Sequence, residues 1–329
     1  MKTCVIYHSI DLDGWMSAAI VKHWFITVQS VHKNVEVLNF IGYNHGQPIP
    51  DLSEYNQIIM CDISFSKEEM LKLYERLNSN FIWIDHHISA IKDNVLFNLE
   101  KGGNYHIDYY GIRDIEFAAC ELTWKHFFPN EEMPEIVRLL GRYDCFGHKG
   151  TNEEQKVLEF QYGARKCITN YEKAYHYLLK VIRDKKHGSY ATFPIGMTTV
   201  NEIHVIGKFI YQYLCIEAEH TYRDGFAIKF TEEITDGIGK NIISRKFICI
   251  NKERFNPINF GIDYHADGYD GCACFWYDNQ KKIRFSLYND NGEVDCSKIA
   301  ASFGGGGHKG ASGFITDTEN LLKITNGNE

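Results

Sequence analysis

Apolar and polar positions alternate on two scales along the first half of the chain. CVIYH (4–8), VEVLNFI (35–41), QIIMC (57–61) and FIWI (81–84) are short apolar runs of the length that buried strands take. Amphipathic stretches separate them. A helix is expected from about Trp15 to Phe25. MLKLYERL follows Ser66-Lys67-Glu68-Glu69, which has the spacing of a capping box. IEFAACELTWKHF (115–127) and PEIVRLLGRYD (134–144) also read as helices. Strand alternating with helix predicts a mostly parallel sheet covered by helices on both faces. Charge, Gly and Pro break the pattern at 184–200. A long helical stretch, 200–222, comes next, followed by short strands: FAIKF, KFICI, CACFWY, IRFSLY and GFIT. The expected organisation is an α/β domain over 1–185, a linker over 186–202 and a smaller mixed α/β domain over 203–329, across a cleft from the first. No internal repeat or low-complexity tract interrupts it.

The polar residues that follow the strands change the picture. His8-Ser9-Ile10-Asp11-Leu12-Asp13-Gly14 follows the first, Asp62 follows QIIMC, and Asp85-His86-His87 follows FIWI. Asp144 closes the helix over 134–144. Ligands of open parallel sheets bind beyond the carboxyl ends of the strands, so three strand ends aim acids and histidines at one crevice. Each residue has a plainer reading. Asp11 or Asp13 suits an N-cap, His86 and His87 suit a solvated loop, and Asp144 suits a helix end. Yet one cap needs one acid, Ser66 is better placed than Asp62 to cap the next helix, and Gly14 permits close backbone approach. Carboxylates packed together repel and are costly to desolvate unless cations lie between them. Carboxylate and imidazole without thiolate suit manganese or magnesium-like ions. Four Asp and two His are enough for two ions with one bridging carboxylate, an arrangement that serves phosphoryl displacement.

Composition narrows the partners. The 329 residues are 44% hydrophobic and 14% aromatic and carry a formal charge of −8, which disfavours coating long nucleic acid. The ten cysteines form no CxxC pair, and Cys272-Ala273-Cys274 reads as two strand residues on one face. No apolar stretch approaches the ~20 residues that cross a bilayer, and no signal-peptide pattern opens the chain. A reduced, cytoplasmic protein is expected, with no membrane partner. The run Gly304-Gly305-Gly306-Gly307 is flanked by IAASF and GASGF, and can present backbone amides to an anion.

Taken together, HxxDxDG at 8–14, Asp62, Asp85-His86-His87, Asp144 and IAASFGGGGHKGASGF (299–314) resemble the DHH-family phosphoesterases with their DHH-associated C-terminal domain. The resemblance spans both domains. It implies a hydrolase acting through two divalent ions, manganese by preference, with a metal-bridging hydroxide as nucleophile. His8 and Asp11 would ligate one ion, Asp13, His86 and Asp144 the other, and Asp62 both. His87 would face the scissile phosphate, with Asp85 orienting a neighbour. Gly304 to Gly307, His308 and Lys309 would hold substrate. Tyr288 stands where many members carry an Arg, and Arg284, on the same strand face, is the expected replacement. The implied substrates are short RNA or DNA oligonucleotides or small nucleotides, and a homodimer is compatible with the pattern. Two alternatives remain open: a nucleotide phosphatase acting on phosphoadenosine phosphate or a linear dinucleotide, and a non-catalytic nucleotide-binding module.

Overall fold

A computed structural model describes residues 1–28, 37–99, 103–106, 108–187, 197–236, 239–253, 255–278 and 281–321. The chain divides into two compact units, Met1–Ile210 and Tyr211–Glu329. Of the linker expected at 186–202, residues 188–196 lie outside the described residues.

The first unit is built on four strands: β1 (Lys2–His8), β2 (Val37–Tyr43), β3 (Gln57–Cys61) and β4 (Phe81–Ile84). They run parallel in the order β2-β1-β3-β4. The helices are α1 (Leu12–Thr27), α2 (Lys67–Leu77), α3 (Ile88–Val95), α4 (Ala119–Phe127), α5 (Glu135–Asp144), α6 (Glu154–Cys167) and α7 (Tyr171–His187). A small hairpin, β5 (Leu96–Leu99) with β6 (Gly103–His106), leaves α3. Alternate residues of each strand face opposite sides. Val5, Ile59, Cys61 and Ile84 join α1, α4 and the later helices in one core. Cys4, Ile6, Ile58, Met60, Phe81 and Trp83 meet Met70, Leu73 and Leu77 of α2 on the other side. The sheet is thus covered on both faces, as the alternating pattern predicts. Near-continuous apolar strands are what two-sided burial selects.

Two expectations shift. Ser66 is the residue before α2 but makes no side-chain capping bond. The helix expected from 115 begins at Ala119, where the carboxylate of Asp13 meets its first amides.

The long helix α8 (Thr199–Arg223) packs on α6 within the first unit through glycine. A Cβ on Gly163 would lie 1.9 Å from the Ile203 carbonyl oxygen, and one on Gly207 1.8 Å from that of Glu159. Backbone meets backbone here, and nothing nearby can rotate away. Gly207→Ala is expected to force the helices apart and lower stability by about 3 kcal/mol, read by denaturant unfolding. An unchanged midpoint would contradict this packing.

The second unit holds β7 (Phe226–Asp236), β8 (Gly239–Asn251), β9 (Gly271–Tyr277), β10 (Ile283–Tyr288), β11 (Gly306–Gly307) and β12 (Ala311–Thr316), with α9 (Cys296–Ser302). The sheet order is β11-β12-β10-β9-β8-β7, antiparallel except for β8 with β9. One face, including Phe285, Leu287 and Phe314, packs with Ile299 and Ala300 of α9. On the other face Cys272 and Cys274 lie together with Ile248 and Tyr264, as the strand reading of that pair requires. Among the described residues no helix is long and apolar enough to cross a membrane.

Candidate metal centre

The cluster is assembled at the carboxyl ends of β1, β3 and β4. His8 is the last residue of β1. Asp11 precedes α1, and its Oδ1 accepts the amide of Gly14 at 2.9 Å. The N-cap reading of Asp11 therefore holds, and the same carboxylate serves a second purpose, because its Oδ2 lies 2.5 Å from His8 Nδ1. Gly14 makes this turn possible. A Cβ there would stand 2.1 Å from the His8 carbonyl oxygen.

Asp62 follows β3 in the left-handed region, at φ 62°. Asp tolerates that region better than most residues, and the conformation lifts the carboxylate to the centre of the cluster. Its Oδ2 is 3.5 Å from His8 Nδ1 and its Oδ1 is 3.3 Å from His86 Nε2. His86 Nε2 also lies 3.3 Å from Asp144 Oδ2 and 3.6 Å from Asp13 Oδ2. Asp13 sits in the first turn of α1 but reaches across to α4. Its Oδ2 accepts the amide of Ala119 at 2.9 Å and its Oδ1 that of Cys120 at 2.7 Å.

Asp85 is fully buried and saturated. Its Oδ1 accepts the amides of His86 and His87 and lies 2.8 Å from His87 Nδ1. Its Oδ2 accepts Trp83 Nε1. The imidazole of His87 is thereby held in one orientation with Nε2 unengaged by Asp85.

The donor atoms fall into groups within 4.8 Å of one another: His8, Asp11 and Asp62, then Asp13, His86 and Asp144, with Asp62, His86 and His87 as a further grouping. These groups fit cations on an independent count. Both oxygens of Asp62 are buried and accept no hydrogen bond. A buried carboxylate left so is costly without a positive partner.

The electrostatics follow. Burial pushes the carboxyls of Asp13 and Asp144 up to about 7, and the charges of Asp62 on Asp13 and of Asp13 on Asp144 push the same way. Burial also raises Asp62, with the charge of Asp11 adding to it. Burial opposes protonation of His8 and His86, but contacts with Asp62, and with Asp11 for His8, outweigh it and lift both to about 10. Cation binding requires deprotonated ligands. At pH 8, metal uptake is therefore expected to release about two protons, those of His8 and His86, measured by titration calorimetry in buffers of differing ionisation enthalpy. Uptake without proton release would contradict it. The sign for the metal-free fold is also set. Each of these four groups holds its proton more tightly folded than unfolded. Their contribution to stability is therefore lost as pH rises, from 3.8 to about 7 for the two acids and from 6.5 to about 10 for the two histidines.

In the second unit, Arg284 and the backbone of Gly304 and Gly305 line one groove of about 810 Å³ with Trp276 and Ser286. Arg284 Nε donates to Asp278 Oδ2 at 2.7 Å. The glycine amides are not all open as the run predicts. Gly304 N donates to the Ala301 carbonyl and Gly305 N to that of Ala300, closing the end of α9. Gly306 and Gly307 pair with β12. His308 exchanges backbone bonds with Ala311, and the Lys309 carbonyl accepts from Cys296 N.

Sequence reasoning missed the second role of Asp13, since nothing local marks a cap 106 residues away. It also missed the indole of Trp83, counted only as a strand residue.

Comparison with known proteins adds three findings. The sequence profile of the DHH family, N-terminal domain, matches residues 2–140. An uncharacterized protein of Acanthamoeba polyphaga mimivirus is 24% identical over 327 residues, 94% of this chain, and the chain spans 66% of that relative's length. Among solved structures, a pGpG-specific phosphodiesterase from Vibrio cholerae is similar at 12% identity, covering 98% of this chain and 96% of that one, with a TM-score of 0.48. An exopolyphosphatase-related protein from Bacteroides fragilis is similar at 16% identity, covering 98% and 90%, with a TM-score of 0.47.

Proposed function

We propose, from the match of residues 2–140 to the DHH family N-terminal domain, that the protein is a two-metal phosphoesterase acting on short oligonucleotides or small nucleotides. The observation that supports this most is the position of Asp62, unbonded and buried between two groups of ligands. His8 and Asp11 would hold one divalent ion, Asp13, His86 and Asp144 a second, and Asp62 would serve both. Manganese suits this carboxylate and imidazole set. When bound, such a pair of ions neutralises phosphate charge and activates water near neutral pH.

The chain's own residues do the rest. Asp85 fixes the His87 ring through Nδ1, and that contact, with the charge of Asp62, overcomes burial to raise the imidazole above its ordinary value. A protonated His87 donates from Nε2 to a phosphoryl oxygen as negative charge grows there. Asp13 ties the centre to the start of α4 through two backbone amides. The acidic net charge favours short substrates over long nucleic acid. In the second unit, Arg284, Gly304 and Gly305 line a groove suited to the nucleotide end, and Gly306, Gly307, His308 and Lys309 of the same loop would contact it from outside that lining.

The test is a manganese-supplemented hydrolysis assay. It compares a two- to five-residue RNA, a linear dinucleotide, phosphoadenosine phosphate and long single-stranded DNA. Mononucleotide release from the short RNA or dinucleotide is the expected result. Phosphate release from phosphoadenosine phosphate alone would move the assignment to a nucleotide phosphatase. Turnover of none, with metals bound, would sink it.

A further inference from the structure

No side-chain hydrogen bond aims Asp62, since both its oxygens are buried and unbonded. Its place between the two ligand groups is therefore set by its backbone, held at φ 62°. The β4 segment grips that backbone twice. The Asp62 amide donates to the Ile84 carbonyl at 2.9 Å. One residue further on, the Ile63 carbonyl accepts the indole Nε1–H of Trp83 at 3.2 Å. The same N–H is shared with Asp85 Oδ2, also at 3.2 Å. Among the described residues no other hydrogen bond reaches that oxygen, whereas Oδ1 takes the amides of His86 and His87 and the His87 ring. One donor thus ties the segment that carries the shared ligand to the carboxylate that orients His87.

The indole is itself fixed. Trp83 is fully buried. The ring of Tyr109 meets it edge-on, 5.4 Å between centroids, and the Arg113 guanidinium carbon lies 5.5 Å from its centroid. Arg113 Nη1 donates to the Trp83 carbonyl at 3.0 Å and Nη2 to that of Tyr109 at 2.6 Å. The chain from Tyr110 to Arg113 runs parallel beside the end of β4, accepting from the amides of Trp83 and Asp85. Gly111 permits that approach, for a Cβ there would stand 2.2 Å from the Trp83 carbonyl oxygen. Filling this space needs only an aromatic ring. An indole N–H brought into a dry core needs acceptors as well, and the two it finds both belong to the centre.

We infer that Trp83 is a positioning residue of the metal centre, its indole N–H holding the Asp62 segment and Asp85 in register so that the shared carboxylate and His87 keep their places. The inference rests on the metal-centre reading for what those residues hold. Partners that orient metal ligands in this way are typically worth about 10–100-fold in metal affinity or activity.

Two substitutions remove the N–H. Trp83→Phe removes it with half of the ring system, and benzothienylalanine at the same position puts sulfur in its place while keeping the ring's shape. A ring-fluorinated tryptophan there retains the N–H and serves as the rescue. Manganese is titrated by calorimetry into each chelator-treated protein, at a temperature where circular dichroism shows all of them folded. Both substituted proteins are expected to bind manganese at least ~10-fold more weakly than the wild type, with the rescue restored. A residue that only filled space would lower the unfolding midpoint and leave the affinity of the folded protein unchanged. Equal affinity in the benzothienylalanine protein therefore overturns the inference. At saturating manganese, kcat is expected to stay about 10-fold down with KM within about twofold, because His87 has lost its fixed partner. A wild-type kcat there overturns the part of the inference that runs through Asp85. Wild-type protein that binds manganese but turns over no substrate sinks the phosphoesterase reading alone, and the affinities then decide the role of Trp83. Wild-type protein that binds no manganese overturns both the centre and this inference.

Discussion

Asp62→Asn is expected to reduce phosphoester turnover on the order of a thousandfold or more, while the metal-free protein stays as stable as the wild type or becomes more so. The two halves come from one observation. Asp62 faces His8 on one side and His86 on the other, so its carboxylate is the group both ligand sets share. It is also 1% exposed with no hydrogen bond to either oxygen. Without cations, burial and the charges of Asp11 and Asp13 outweigh what His8, His86 and His87 give this carboxylate, so it is raised above its ordinary range and removing the charge relieves a net burden on the fold. Asn is the better probe than Ala, because the backbone here is left-handed and Asn adopts that conformation at little cost. Turnover by circular-dichroism-verified protein and unfolding in chelator read the two effects. Near-normal activity would remove Asp62 from the centre. A loss of several kcal/mol in the metal-free form would mean the carboxylate makes structural bonds.

Asp13→Ala is expected to behave in the opposite way in the metal-free protein. Asp13 accepts two backbone amides at the start of α4, at 2.9 and 2.7 Å, from a site 2% exposed. Its removal leaves two buried donors without partners and uncaps the helix, a loss of about 2–4 kcal/mol. The substitution also takes a ligand from the group of Asp13, His86 and Asp144, so turnover falls as well. Asp144→Ala is the matched control. It removes a ligand of the same group, but its carboxylate accepts no hydrogen bond among the described residues, so the metal-free fold should lose little. Denaturant unfolding of the three metal-free proteins checks the contrast. Equal stability of Asp13→Ala and wild type would show that the bonds to α4 contribute nothing.

Strand placement was legible because burial on both faces leaves an unbroken apolar run, and QIIMC and FIWI end where β3 and β4 end. The centre was legible for the same reason: polar residues that follow such runs stand at the sheet's carboxyl edge. α6, α7 and α9 were not read. Their polar faces dilute the apolar period, and the first two pack among helices rather than on the sheet alone. Asp13 looked like a local cap and proved to cap a helix brought near by the fold. The glycine run suggested open amides, but the helix just before it uses two of them, which depends on where α9 stops.

The central claim is that six residues hold two divalent ions on either side of Asp62. Anomalous diffraction at the manganese edge from crystals grown with manganese tests it most directly. The account predicts two peaks, one among His8, Asp11 and Asp62 and one among Asp13, His86, Asp144 and Asp62. A single peak, or none at these residues, would contradict it.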